Sequence, residues 1–208
     1  MGLLRGSASF SRFFVNGGLS ENYLEEFTEK IARFSFRNLD EHSDEERSTG
    51  WVNIMDIFDT DFGGKEFFMH PYIALSWRVD VRKVPPNALK QHCIEAEKEI
   101  KRAENLEYLP KGKLKELENF IWHQLLKRAI PRTNTYDIIW NLDTSMLIFG
   151  SNSNKLCDEF AETFFKTFDL TLSPVFPYSL AYRYLETESA DPKLLDAVRA
   201  SNFSGDEE

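Results

Sequence analysis

Between Arg82 and Arg132 the chain places twelve Lys and Arg against seven Glu, a net of +5 within a formal charge of −9. The rest of the chain therefore carries −14. Cations gathered in this way neutralise phosphates and release counterions, which gives affinity for a polyanion without reading its sequence. Exposed charges more than about 8 Å apart are largely screened at physiological salt, so a local basic face attracts an anion despite the overall sign. The candidate phosphate contacts are Lys83, Lys90, Lys98, Lys101, Arg102, Lys111, Lys113, Lys115, Lys127, Arg128 and Arg132. Interleaved acids compete for them. Glu97 stands four residues before Lys101, and Glu95 and Glu99 stand three before Lys98 and Arg102, the spacings of intrahelical ion pairs. A solvated hairpin laced with salt bridges is thus the alternative to a phosphate grip. Lys111, Lys113 and Lys115 escape this competition, because no acid lies between Glu107 and Glu116.

A second constellation is Asp56, Asp59 and Asp61, just before Gly63-Gly64. Carboxylates that bridge two metal ions about 4 Å apart perform phosphoryl chemistry, so a divalent-ion-dependent nuclease is one reading and a solvated acidic turn the other. His42, His70, His92 and His123 show no recurrent ligand spacing, and neither a metal nor a cofactor is assigned. The chain has no Gly-x-x-x-x-Gly-Lys-Ser/Thr loop, no Gly-x-Gly-x-x-Gly turn and no Gly-x-Ser-x-Gly elbow. Cys93 and Cys157 lie in separate amphipathic segments and read as reduced thiols, which fits a reducing cytoplasm. No apolar run is long enough to span a membrane, and the first fifteen residues lack the apolar centre of a signal peptide.

These residues must be positioned by the elements around them. Ala8 to Val15 roughly alternates and predicts a strand, and Ser20 is placed to cap a helix to about Phe34 with Leu24, Phe27, Ile31 and Phe34 on one face. An acidic loop, Asp40 to Glu46, precedes an expected strand at Gly50 to Met55. Ile73, Leu75, Trp77, Val79 and Val81 alternate with Ala74, Ser76, Arg78 and Asp80, the clearest strand in the chain. Pro85-Pro86 stops it, and Asn87 is placed to cap a helix with Leu89, Cys93, Ile94, Ile100, Ala103 and Leu106 apolar. After Leu109-Pro110-Lys111-Gly112 a further helix carries Leu114, Leu117, Ile121, Leu125 and Leu126. The two form an antiparallel arm of roughly 30 Å at about 1.5 Å per residue, and this arm coincides with the basic stretch. Strands follow at Tyr136 to Leu142 and Met146 to Gly150. Then come a helix with Phe160, Phe164 and Phe168 at spacing four, and a closing strand before Pro177. Tyr136 and Trp140 read as sheet packing rather than base-stacking platforms, because they alternate.

The expected class is α+β: two small mixed or antiparallel sheet units with packed helices flank a projecting helical hairpin. The divisions are 1–82, the hairpin 83–132, a second α+β unit 133–185, and an acidic tail 186–208 with a short helix near Pro192 to Ala200.

From Gly50-Trp51-Val52 through Pro177 the chain resembles the RdgC family of bacterial recombination-associated proteins. The carrying residues are Gly50-Trp51-Val52, the run Lys83-Val84-Pro85-Pro86-Asn87-Ala88-Leu89-Lys90, and the run Leu125-Leu126-Lys127-Arg128-Ala129-Ile130-Pro131-Arg132. Trp140 and Asp143 follow, and then Pro174-Val175-Phe176-Pro177-Tyr178-Ser179-Leu180. The likeness is to a family member shortened at its C-terminal end. It implies a protein of the cytoplasm and nucleoid that binds double-stranded DNA with little sequence preference, forms a homodimeric ring and limits access of the RecA recombinase. It also implies a subunit contact at the arm tip near Arg128 to Arg132, with Ile130 standing where an aromatic is expected. The family carries an exonuclease label that no motif in this chain supports. A protein-interaction module without DNA binding is the remaining alternative.

Overall fold

The computed structural model describes residues 9–40 and 43–198. Seven strands and five helices follow in the order β1 (Ser11–Asn16), α1 (Tyr23–Arg33), β2 (Arg47–Val52), β3 (Phe68–Met69), β4 (Tyr72–Val81), α2 (Pro86–Glu104), α3 (Lys111–Arg128), β5 (Arg132–Asn141), β6 (Met146–Phe149), α4 (Asn154–Phe168), β7 (Thr171–Pro174) and α5 (Pro177–Thr187). A 3-10 turn covers Pro192–Ala197. The class is α+β, as the residue pattern predicts. The two expected sheet units, however, are joined. All seven strands form one antiparallel sheet in the order β2-β4-β5-β6-β1-β7, with β3 beside β4. The join is made by β4 and β5, which pair along their full length from Tyr72↔Asn141 to Val81↔Arg132. The opening strand β1 leaves its sequence neighbours and lies between β6 and β7.

Alternation along β4 decides the two faces. Ile73, Leu75, Trp77 and Val79 face the core with their partners Trp140, Ile138 and Tyr136 on β5. Helices α1 and α4 cover that face. Phe160 of α4 stacks on Phe149 at 4.1 Å between centroids, and Phe27 of α1 meets Phe168 at 4.9 Å. Rings buried in this way each contribute about 1.5–3 kcal/mol. Trp51 is wholly buried and donates its indole N–H to Thr167 Oγ1 at 2.9 Å, so its one polar atom is satisfied.

The other face is polar yet also buried over β2 and β4. Arg78 makes a two-pronged ion pair with Asp80, at 2.9 and 2.8 Å, and donates to Ile57 O at 3.1 Å. Its guanidinium lies 4.0 Å from the Phe36 ring centroid. Ser76 donates to Asp137 at 2.6 Å across the β4–β5 pair. Segments carrying Phe36 and Ile57 lie over this area, and a Cβ on Gly50 would come within 2.4 Å of Phe36 Cα. Only glycine admits so close a crossing.

Several boundaries differ from expectation. The first strand begins at Ser11, and Ala8 lies outside the described residues. Helix α1 starts at Tyr23, with Asn22 rather than Ser20 at its cap position; Ser20 bonds the Glu26 carboxylate instead. The expected strand at Gly50 to Met55 runs Arg47–Val52, because Asn53 takes up the first turn of the following loop. Pro85, not Asn87, is the cap of α2. Helix α5 is an element that the strand-and-turn reading passed over. Pro177 at its first turn starts it, and Ser179 bonds back to the Phe176 N–H at 3.0 Å. The short terminal helix is a 3-10 turn ending at Ala197, and 199–208 of the acidic tail lie outside the described residues.

Candidate nucleic-acid interface

The basic stretch builds a two-helix arm. Its root is fixed by Arg82, only 2% exposed, which directly follows β4. The Arg82 guanidinium donates to Asp40 O at 2.6 Å, and the Arg82 backbone N–H donates to Glu46 O at 2.8 Å. This arginine is therefore committed to structure. Pro85 and Pro86 then turn the chain into α2, since proline at the first helical turn needs no N–H partner. At the far end Asn105 adopts a left-handed conformation, φ 52, which closes α2, and buried Leu109 packs the turn. Helix α3 returns to the sheet, where Leu126 is fully buried.

The arm has two unlike sides. A groove between the helices is lined on α2 by Glu95, Ala96 and Glu99, and on α3 by Leu117, Phe120, Gln124 and Arg128. Towards the turn it continues past Ile100, Lys113 and Glu116. At about 100° per residue, Lys90 and Lys101 point roughly opposite to Glu99 on α2, and Lys111 and Lys115 roughly opposite to Phe120 on α3. Because the helices share the groove, these four lysines lie together on the reverse side, where the same projection also places Glu97 and Glu118. Lys98 and Arg102 occupy the adjoining outer edge of α2, beside Gln91, Ile94, Glu95 and Glu99. Ile94, one of the apolar positions of α2, is exposed there.

The eleven candidate cations are thus sorted rather than uniform. Lys101 pairs with Glu97 at 2.8 Å, and Lys113, on the groove side, pairs with Glu104 at 3.0 Å. Lys127 lies 3.9 Å from Asp44 Oδ1, which is also 3.1 Å from His123 Nδ1. Arg128 lines the groove. Lys83 and Arg132 are exposed at the root, beside the last pair of the β4–β5 ladder. Among the described residues no ion pair within 4.0 Å engages Lys90, Lys98, Arg102, Lys111 or Lys115. Ile130 is 91% exposed. It sits where α3 passes into β5, at the sheet end of the arm, whereas the turn between the helices is at 105–110. The expected tip position is corrected accordingly.

The acidic constellation folds into a ladder of side-chain turns. Asp56, Asp59 and Asp61 each accept an N–H two residues on, from Phe58, Asp61 and Gly63, all at 2.9 Å. Asp59 also accepts from Asn53 Nδ2 at 3.1 Å. Local bonds of this kind are what aspartates offer to a loop rich in turns. Among the described residues no group of three or more His, Cys, Asp or Glu side chains is placed to hold a metal ion. Cys93 lies between the helices. Burial, followed by the nearby Glu118 charge, raises its thiol above the ordinary range.

The sidedness of the arm was open to a helical projection of α2 and α3, but the Asp44 contact at its root was not, since it depends on where a distant loop settles. Among the described residues no helix is long and apolar enough to cross a membrane. No curated protein matches the sequence. The family model described as "Putative exonuclease, RdgC" matches residues 15–184, from the end of β1 into α5, and so covers the arm and all of the sheet but the first residues of β1. The chain belongs to the RdgC family.

Proposed function

We propose that this chain is a sequence-tolerant binder of double-stranded DNA that modulates recombination, and that the basic side of its arm is the phosphate-contacting surface. The observation that carries the reading is the gathering of Lys90, Lys111 and Lys115, none with an ion pair within 4.0 Å among the described residues, on the side of the arm away from the groove, with Lys98 and Arg102 likewise unpaired on the adjoining edge beside Glu95 and Glu99. Lysines projecting from a rigid helical pair meet successive phosphates as point charges and read no base edge. Family membership supports the link to recombination and the proposed nucleoid setting. It also motivates a homodimer that opposes RecA by occupying its DNA. Ile130, an exposed apolar side chain between Arg128 and Arg132, is the proposed subunit contact.

The test is a binding series on a short duplex across salt concentrations. Five contacts, from Lys90, Lys98, Arg102, Lys111 and Lys115, with Lys101 held by Glu97, give an expected slope of log affinity on log salt of roughly −4.5. A nearly flat response rejects phosphate contact as the source of affinity. Sedimentation of the intact chain and of Ile130→Glu tests the dimer: a mass that does not change removes Ile130 from the contact.

A further inference from the structure

The groove side of the arm is ill suited to phosphate, because Glu95, Glu99 and Glu116 on its rim outnumber Arg128, and Lys113 there is held by Glu104. Its floor is nonetheless apolar. Two adjoining depressions of about 280 and 340 Å³ share Leu117 and Phe120, and Phe120 is 59% exposed. Helix α2 has no buried residue at all, so the arm is a pair of helices whose apolar seam is open along one side. Grooves between antiparallel helices accept a further helix by interdigitating side chains, as in a bundle. From His92 to Glu104 the groove runs about 18 Å, room for roughly three turns.

We propose that this groove is a docking surface for an amphipathic basic helix of a partner protein. The charge chooses the occupant. Glu95, Glu99 and Glu116 have no ion pair within 4.0 Å among the described residues, whereas Glu104 is already held by Lys113. A partner helix that lays an apolar stripe on Ala96, Ile100, Leu117 and Phe120 brings its flanking lysines or arginines to these three carboxylates. The inference stands apart from the DNA reading, because it concerns the opposite side of the arm. A chain that binds DNA on one side and a protein on the other is a tether between the two.

The probe is a fluorescein-labelled amphipathic Leu/Lys peptide of about fourteen residues, capped at both ends, with its leucines on a single helical stripe. The control is a peptide of the same composition with the stripe scrambled. Anisotropy with the full-length protein at physiological salt is expected to show saturable one-to-one binding of the striped peptide and much weaker binding of the control. Phe120→Ser, and separately Glu95→Gln with Glu99→Gln, are each expected to weaken binding about fivefold or more, the loss typical of an interface anchor. The duplex-DNA affinity of Phe120→Ser should stay within about twofold of the parent, because Phe120 is not on the basic side, and that of the double glutamate variant should not fall, because Glu95 and Glu99 stand beside Lys98 and Arg102 and oppose phosphate there; retained DNA binding also reports that the variants fold. Equal binding of the two peptides, or binding indifferent to both variants, overturns the proposal. So does self-association of the protein that Phe120→Ser abolishes, which assigns the groove to a second copy.

Discussion

Replacing Lys111 and Lys115 together by alanine removes two cations from the basic side of the arm, next to the turn, where neither has an acidic partner within 4.0 Å among the described residues. The loss follows from counterion release. Each phosphate contact on duplex DNA contributes about 0.9 to the slope of log affinity on log salt, so the double variant should flatten the slope by about 1.8. Relative to 1 M salt, one contact weighs about 0.7 log unit at 0.15 M, so the pair weighs about 30-fold, near 2 kcal/mol. At 0.05 M the same arithmetic gives about 200-fold. Anisotropy titrations of a short labelled duplex at four or five salt concentrations measure both quantities. Lys113→Ala is the internal control: Lys113 lies between the other two in sequence, but it is on the groove side and bound to Glu104 at 3.0 Å. It should leave the slope within experimental scatter. If Lys113→Ala costs as much as Lys111→Ala, or if the double variant keeps the parent slope, the assignment of sides is wrong.

Arg78→Ala leaves the Asp80 carboxylate buried without its guanidinium, and should cost about 3–5 kcal/mol in urea denaturation; a loss below about 1 kcal/mol contradicts the described pairing. Asp59→Ala removes the acceptor of the Asp61 N–H and the Asn53 amide, so it should lower stability by about 1–2 kcal/mol. It should not change the fate of labelled linear DNA incubated with magnesium; loss of an end-degrading activity in this variant alone would restore the nuclease reading. Cys93, whose thiol is raised by burial and by Glu118, should alkylate more slowly than a free thiol near pH 8 in a Cys157→Ser background. Glu118→Gln removes a charge that opposes the thiolate, so the thiol pKa should fall and the rate rise; an unchanged rate removes Glu118 as a cause.

Much of this molecule is written in local periodicity. The period-two run from Ile73 to Val81 states β4 outright, and Phe160, Phe164 and Phe168 at spacing four state the buried face of α4. Pro85-Pro86 and the turn at Leu109-Pro110 delimit the arm, and the charge count finds its basic character without any coordinates. Neighbouring residues settle these features, because side-chain direction along one helix or strand follows from backbone geometry alone.

The remainder required distant segments to meet. Alternation marks Arg78 and Asp80 as facing away from the core, yet they are buried, because Phe36 and the loop at Ile57 lie over them. No local pattern says that β4 pairs with β5, which makes one sheet from strands that read as two groups, or that β1 lies between β6 and β7. The type and order of the arm's charges belong to the sequence. Which of them remain without an acidic neighbour was decided by folding, when the loop carrying Asp44 came to rest against Lys127 and the close of the hairpin brought Glu104 to Lys113. An ion pair depends on distance in space, and distance in space between remote residues is a property of the packed chain.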